Sequence, residues 1–283
     1  MQKVKDIRNY LDDTLGSKYP DSELRSFYNW ILEYLLSYST VDAIMNAENL
    51  LQNQTVKDVE RIVGLLAKEK PIQQIVGYAW FYGHQFSVDE HVLIPRPETE
   101  ELVDWILKDN LEGKSILDIG TGTGCIPICL AKHSSAKVST LDISEEALKV
   151  ARNNADTLNV KINFIHADIM SNEVVKKLSH YDIIVSNPPY VLESDKKMMS
   201  ANVIDYEPHI ALFVPNDDAL KYYHKITEIA SRALNPGGIL YFEIHESKGF
   251  EMIKLLKDIG FTSVELRQDM QGKDRMIKAI WNV

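Results

Sequence analysis

The sequence predicts an α/β protein: a doubly wound, mostly parallel sheet with an antiparallel edge strand, preceded by a small all-helical domain. Three observations carry this. Helical periodicity dominates the first 70 residues, short apolar strands alternate with amphipathic helical stretches from Ser115 onward, and the last two strands have no helix-length segment between them. Two strands joined that closely pair antiparallel, whereas parallel partners need a crossover.

In the N-terminal part, Ile7, Leu11 and Leu15, then Leu24, Phe27, Ile31, Leu32 and Leu35, recur at three- and four-residue spacing. Asp21 or Ser22 is the expected N-cap of the second helix, and Val56 to Ala67 carries the same period. Residues 1–70 are therefore expected to form a helical domain, either a scaffold or a docking surface for a macromolecular substrate. Residues 71–100 change character, with Tyr78, Trp80, Phe81, Tyr82 and Phe86 placed around Gly83 as in a hairpin. The stiff stretch Pro95-Arg96-Pro97-Glu98-Thr99-Glu100 then leads into a helix expected from about Glu101 to Lys108. Residues 101–283 hold the sheet. Its strands are expected at Ser115–Ile119, Lys137–Leu141, Ile162–His166, Asp182–Ser186 and Ile239–Ile244, with the tail pair at Ser263–Leu266 and Met276–Trp281.

Composition excludes several classes of function. A net charge of −10 counts against a protein whose affinity comes from neutralising phosphates, so no direct nucleic-acid partner is expected. No run approaches the roughly 18 apolar residues of a membrane span, and Met1 to Tyr10 lacks an apolar signal core, so a cytoplasmic location away from membranes is expected. Cys125 and Cys129 lie one helical turn apart without companions, and the eight histidines form no ligand cluster, so no metal is expected.

Candidate chemistry sits at the strand ends. Asp118-Ile119-Gly120-Thr121-Gly122-Thr123-Gly124 leaves the first strand and opens a helix, and its glycines let backbone approach a ligand. Asp142, ending the next strand, is placed to accept hydrogen bonds from a ribose diol. Asp168 and the Ile169 backbone after the third strand suit an adenine edge, with a helix N-cap as the alternative for Asp168. The loop has one residue fewer between its last two glycines than a dinucleotide fingerprint, and its acidity favours a cationic cofactor over a pyrophosphate. After the fourth strand stands Asn187-Pro188-Pro189-Tyr190. Its prolines withhold two N–H donors and leave the Asn187 and Pro188 carbonyls as aimed acceptors, while Asn187 adds a side-chain oxygen and Tyr190 a flat face. Such a set suits a planar group bearing an NH2.

These motifs resemble a class I S-adenosylmethionine-dependent methyltransferase with a Rossmann-like sheet, acting on a planar nitrogen. The Leu93-to-Glu100 connector, the helical N-terminal domain, Tyr206-Glu207-Pro208 and the Asp269-x-x-Gly272-x-Asp274-Arg275 ending are similar to one branch, the peptide chain release factor glutamine methyltransferases. The resemblance implies that Gly120, Thr121, Gly122, Thr123, Gly124, Asp142, Asp168, Ile169 and Asn187 bind S-adenosylmethionine. It implies that Asn187, Pro188, Pro189 and Tyr190 bind the substrate, with Asn187, Pro188 and Tyr190 catalytic. The substrate would be the glutamine of the Gly-Gly-Gln motif of release factors. Adenine-N6 methylation of nucleic acid, or a non-catalytic cofactor-binding interaction protein, are the alternatives. Two stretches depart from the family pattern, His245 with Lys248 and Phe213 to Asp218, and both lie outside the loops assigned to the reaction.

Overall fold

The computed structural model describes residues 1–171 and 173–282, and its chain divides into two compact units. The first comprises Met1–Gly77 and Ser200–Tyr206, the second Tyr78–Met199 and Glu207–Val283.

The first unit contains α1 (Asp6–Leu15), α2 (Asp21–Leu36), α3 (Thr40–Met45), α4 (Asn53–Leu66) and the short α5 (Ile72–Val76). Ile7, Leu11 and Leu15 of α1 bury the stripe the periodicity predicts, against Leu24, Phe27, Ile31 and Leu32 of α2 and Val59, Ile62, Val63 and Leu66 of α4. Pro20, not Asp21 or Ser22, is the N-cap of α2; Asp21 opens the helix and pairs with Arg8 and Arg25. Ser39 closes a capping box with Asp42 at the start of α3. A later piece of chain completes the unit: Tyr206 donates its hydroxyl to the Lys68 carbonyl at 2.8 Å and accepts Gln74 Nε2 on its own carbonyl at 2.8 Å.

The second unit opens with the hairpin β1 (Tyr78–Phe81) and β2 (His84–Ser87), turned at Tyr82-Gly83, where both residues have positive φ. Helix α6 runs Pro97–Leu107, beginning a turn before Glu101. Pro97 occupies the first turn, where its missing N–H costs nothing, and Glu98 and Glu100 face the positive end of the helix dipole. Thr99 therefore belongs to a rigid helix rather than to a linker.

There follow β3 (Ser115–Ile119), α7 (Cys125–Lys132), β4 (Lys137–Asp142), α8 (Glu145–Thr157), β5 (Asn163–His166) and β6 (Tyr181–Ser186). After β7 (Val191–Leu192) comes α9 (Ala201–Tyr206), the helix that belongs to the first unit, then β8 (Phe213–Val214). The chain closes with α10 (Lys221–Ala233), β9 (Leu234–Glu243), α11 (Gly249–Ile259), β10 (Thr262–Gln268) and β11 (Asp274–Trp281). The seven-stranded sheet has the order β10-β11-β9-β6-β3-β4-β5. Strands β9, β6, β3, β4 and β5 are parallel, and β11 runs antiparallel to both β9 and β10. Alternate residues feed two cores. Ile116, Ile183, Val185 and Tyr241 pack with Trp105 and Ile128, whereas Leu117, Ile184, Leu240 and Phe242 pack with Tyr223, Ile226 and Met252.

Candidate active site

Strand order places the candidate loops side by side. The path runs from β3 outward through β4 to β5, then returns to the other side of β3 with β6, so the sheet reverses direction between β3 and β6. Ligands of open α/β sheets bind at the carboxyl ends beside such a reversal. Register pairs Ile119 with both Leu141 and Ser186, and Asp142 with His166, so the glycine loop, Asp142, Asp168 and Asn187 leave the sheet at one edge. Ser186 Oγ donates to the Ile119 carbonyl at 2.6 Å and ties the two central strand ends together.

Gly120, Gly122 and Gly124 have φ of +80°, +52° and +80°. At Gly120 and Gly122 an added Cβ would stand in open space, so φ is the constraint there; at Gly124 it would meet Ile128 Cδ1 at 2.9 Å and Ala151 Cβ at 3.1 Å. The first two glycines border a cavity of about 240 Å³, while Gly124 lets α7 pack closely against α8. Asp142 lies on the same wall, its Oδ2 accepting Gly122 N–H at 3.0 Å and its Oδ1 accepting Ser144 N–H at 2.9 Å. Burial pushes its carboxyl above the ordinary value, opposed by these backbone donors. Asp168 Oδ1 accepts Met170 N–H at 2.8 Å within a turn, and no α-helix starts there among the described residues, so it is not the N-cap of one.

Asp118 is fully buried beneath the loop. Its Oδ2 accepts the Thr140 hydroxyl at 2.7 Å, Oδ1 has no partner, and burial pushes the carboxyl up to about 7. Asp142 and Asp168, not Asp118, are the carboxylates on the cavity wall. Because the folded value lies above the ordinary 3.8, Asp118 favours the folded state fully only below about that pH, and this contribution is lost as pH rises to about 7. Asp118→Asn removes the group. The stability of the parent relative to that variant is expected to fall from about pH 4 to about pH 7 and then level off, as read by chemical denaturation across that range. A difference independent of pH would show that Asp118 titrates in the folded protein as it does in the unfolded chain.

Asn187 and Pro188 line this cavity and also a second one of about 50 Å³, whose walls include Leu93, Arg96, Tyr190, Val191 and Leu212. The two spaces share Leu93, Asn187, Pro188 and Ala211 as walls. Behind them lies a polar layer. Asn187 Nδ2 donates to Thr99 Oγ1 at 3.3 Å, Thr99 Oγ1 donates to Glu243 Oε2 at 2.6 Å, and the Tyr190 hydroxyl donates to Glu243 Oε1 at 3.2 Å. Burial and the Glu243 charge push the Tyr190 phenol well up, so it stays protonated and is no base near neutral pH. Arg96 ion-pairs with the buried Glu207 at 2.6 Å, and the second Glu207 oxygen accepts Ile94 N–H at 3.1 Å, tying the Pro-Arg-Pro stretch to the Tyr-Glu-Pro stretch.

A protein-family model described as "Methyltransferase small domain" matches residues 98–208. The release factor glutamine methyltransferase of Flavobacterium psychrophilum is 44% identical over 281 residues, covering 97% of this chain and 98% of that protein. The chain belongs to the release factor glutamine methyltransferase family. A second member, from Bacteroides thetaiotaomicron, is 44% identical over 96% of this chain and 98% of its own length. A solved methyltransferase from Pyrococcus furiosus shares the fold at 20% identity, with a TM-score of 0.54 over 72% of this chain and 91% of that one.

Members of this methyltransferase family use S-adenosylmethionine, and the residues present fit it. The two open glycines leave room for close approach to backbone. Asp142 borders the cavity with a carboxylate already oriented by backbone N–H groups, among them Gly122 and Ser144, and able to accept from a diol, and Ile143 and Met170, 46% and 40% exposed, offer apolar surface to a base. Of the residues read from sequence, Gly120, Gly122, Asp142, Asp168, Ile169, Asn187, Pro188 and Pro189 line the larger cavity, and Tyr190 lines the smaller. Thr121 and Thr123 are buried away from both, and the Thr123 carbonyl accepts Asn154 Nδ2 at 2.9 Å. Sequence reasoning missed Thr99, Glu243, Arg96, Glu207 and the wall residues Ile143 and Met170. Ile143 carried a signal, an apolar residue directly after a strand-end acid, and Thr99 stood within the quoted connector; its pairing with Glu243 carried none, since 144 positions separate them.

The two departures from the family pattern both reach this site. The His245 ring packs edge-on to Tyr190 with centroids 5.9 Å apart. Phe213-Val214 forms β8, paired parallel with the Val191-Leu192 strand that follows Tyr190.

Proposed function

We propose that this chain transfers a methyl group from S-adenosylmethionine to the side-chain amide nitrogen of the glutamine in the Gly-Gly-Gln motif of release factors, and does so at Asn187-Pro188. The observation that supports this site is that Asn187 and Pro188 form part of the wall of two cavities, one bordered by the glycine loop and Asp142, the other by Tyr190. The cofactor supplies a methyl group already activated on a sulfonium. An amide nitrogen is a weak nucleophile because its lone pair is delocalised, so orientation is the task left to the protein. Asn187 Oδ1 and the Pro188 carbonyl accept the two amide hydrogens, and thereby aim the nitrogen and stabilise the positive charge that develops on it until one of those hydrogens leaves as a proton to solvent, the sulfonium having become a neutral thioether. Tyr190 and Pro189 wall the slot and exclude water.

An exocyclic adenine amine would present the same NH2, and the net charge of −10 favours a protein substrate over nucleic acid. Methyl transfer from labelled cofactor to purified release factor, with DNA and RNA as parallel acceptors, tests the reading. Label on nucleic acid alone would overturn it.

The helical unit is the docking surface for the release factor in this reading. It exposes Val41, Ile44, Met45 and Leu50, apolar side chains in and just after α3. Ile44→Lys combined with Met45→Lys is expected to raise KM for intact release factor about tenfold and leave cofactor affinity unchanged. An unchanged KM would put docking elsewhere. The same reading assigns the enzyme to the cytoplasm; in the structure itself, no helix among the described residues is long and apolar enough to cross a membrane.

A further inference from the structure

We infer that Glu243, acting through Thr99 and Tyr190, is the positioning residue that sets which way the Asn187 carboxamide faces in the substrate slot. This rests on the amide-methylation reading above. Glu243 ends β9, is 1% exposed and borders neither cavity, so it acts only through the groups it holds. One carboxylate oxygen takes the Thr99 hydroxyl hydrogen at 2.6 Å and the other takes the Tyr190 hydroxyl hydrogen at 3.2 Å.

A threonine hydroxyl has a single hydrogen. With that hydrogen committed to Glu243, the Thr99 oxygen can only accept, and Asn187 Nδ2 lies 3.3 Å from it. The opposite amide orientation would set Asn187 Oδ1 against an oxygen with no hydrogen to offer. The NH2 is thus anchored inward, which leaves Oδ1 as the acceptor available to substrate. A carboxylate one residue removed from the slot therefore dictates the polarity of the slot. The same carboxylate holds the Tyr190 ring as a wall, and the Tyr223 hydroxyl holds the Glu243 carbonyl at 3.1 Å. Burial pushes the Glu243 carboxyl above its ordinary value, opposed by the Thr99 hydroxyl, by the charge of Arg275, itself bound to Asp269 at 3.1 Å, and by the Tyr190 hydroxyl, so these same contacts favour the charged acceptor. A glutamine at this position offers one oxygen, so it cannot accept from both Thr99 and Tyr190.

A glutamate that merely fastened α6 to the sheet would make the same contacts, so the test reads coupling to Asn187. Single-turnover transfer to release factor is measured for Thr99→Val, Asn187→Ala and the double variant, with cofactor affinity measured alongside. Thr99→Val is expected to slow transfer by about tenfold to a hundredfold, with cofactor affinity and KM for release factor unchanged, and Thr99→Ser to regain most of the loss. The double variant is expected to be no slower than Asn187→Ala alone, because Thr99 acts only by orienting Asn187. Should Thr99→Val melt below the assay temperature, Glu243→Gln gives the same comparison with the cavity volume preserved. Multiplied losses in the double variant, or parent-rate transfer by Thr99→Val beside a slow Asn187→Ala, would overturn the inference and leave the amide-methylation reading intact. Parent-rate transfer by Asn187→Ala would overturn both.

Discussion

Asn187→Ala is expected to slow methyl transfer by about a hundredfold to a thousandfold, roughly 2.7–4 kcal/mol at the transition state, the worth of one oriented polar group in a preorganised site. The substitution keeps both prolines and the end of β6. The hydrogen bond it deletes toward Thr99 is long, at 3.3 Å, and Asn187 is only half-buried, so the fold survives. The loss should fall on kcat and spare cofactor affinity. Single-turnover methylation at saturating cofactor and release factor, with thermal melting as the folding control, decides the matter. An alanine variant that melts normally and transfers at the parent rate would make Asn187 a residue that only ends a strand. Asn187→Asp is a sharper probe: it retains an acceptor oxygen, removes the N–H that reaches Thr99 and adds a negative charge near the buried Glu243 carboxyl. It should transfer more slowly than the parent and more slowly at high pH than at low.

Asp142→Ala is expected to weaken S-adenosylmethionine binding by about 1–3 kcal/mol, the scale of hydrogen bonds to a charged acceptor. Two losses combine. The diol loses its acceptor, and the glycine loop loses the carboxylate that holds Gly122 N–H at 3.0 Å and Ser144 N–H at 2.9 Å. Asp142→Asn separates them, since it keeps an acceptor oxygen for one of the two. Its binding should fall between the parent and the alanine variant. Titration calorimetry with the cofactor measures both, and parent-like affinity in the alanine variant would move the diol site away from the end of β4.

Much of the fold was readable because its signals are local. Strands β3 and β4, helix α7 and the antiparallel tail follow from apolar period and turn chemistry within a dozen residues of each position. The short helices α5 and α9 were not readable, being too brief to show a period, and α9 completes a unit whose other helices end more than a hundred residues earlier. The start of α6 was misplaced for a related reason. Pro95 and Pro97 read as a stiff connector, yet proline at the first helical position begins a helix as readily as it ends one.

By itself the sequence determined the sheet, the glycine loop with its acid, and the place of the Asn-Pro-Pro-Tyr tetrapeptide at the end of β6, because each is a run of neighbours whose backbone chemistry is set by its own residue types. The likeness to methyltransferases follows from those same runs, and the likeness to the release factor branch from the Leu93-to-Glu100 connector, Tyr206-Glu207-Pro208 and the Asp269-to-Arg275 ending. Only the tertiary structure decided what stands behind them. Thr99 on α6, Asn187 after β6 and Glu243 at the end of β9 come together because the sheet reverses between β3 and β6 and places β9 next to β6. Tertiary structure also turned Thr121 and Thr123 into the core and buried Asp118 under the loop it precedes. The physical reason is that burial and hydrogen-bond partnership are properties of a position in space. A residue type can specify what a side chain is able to donate or accept, but not which distant partner completes it.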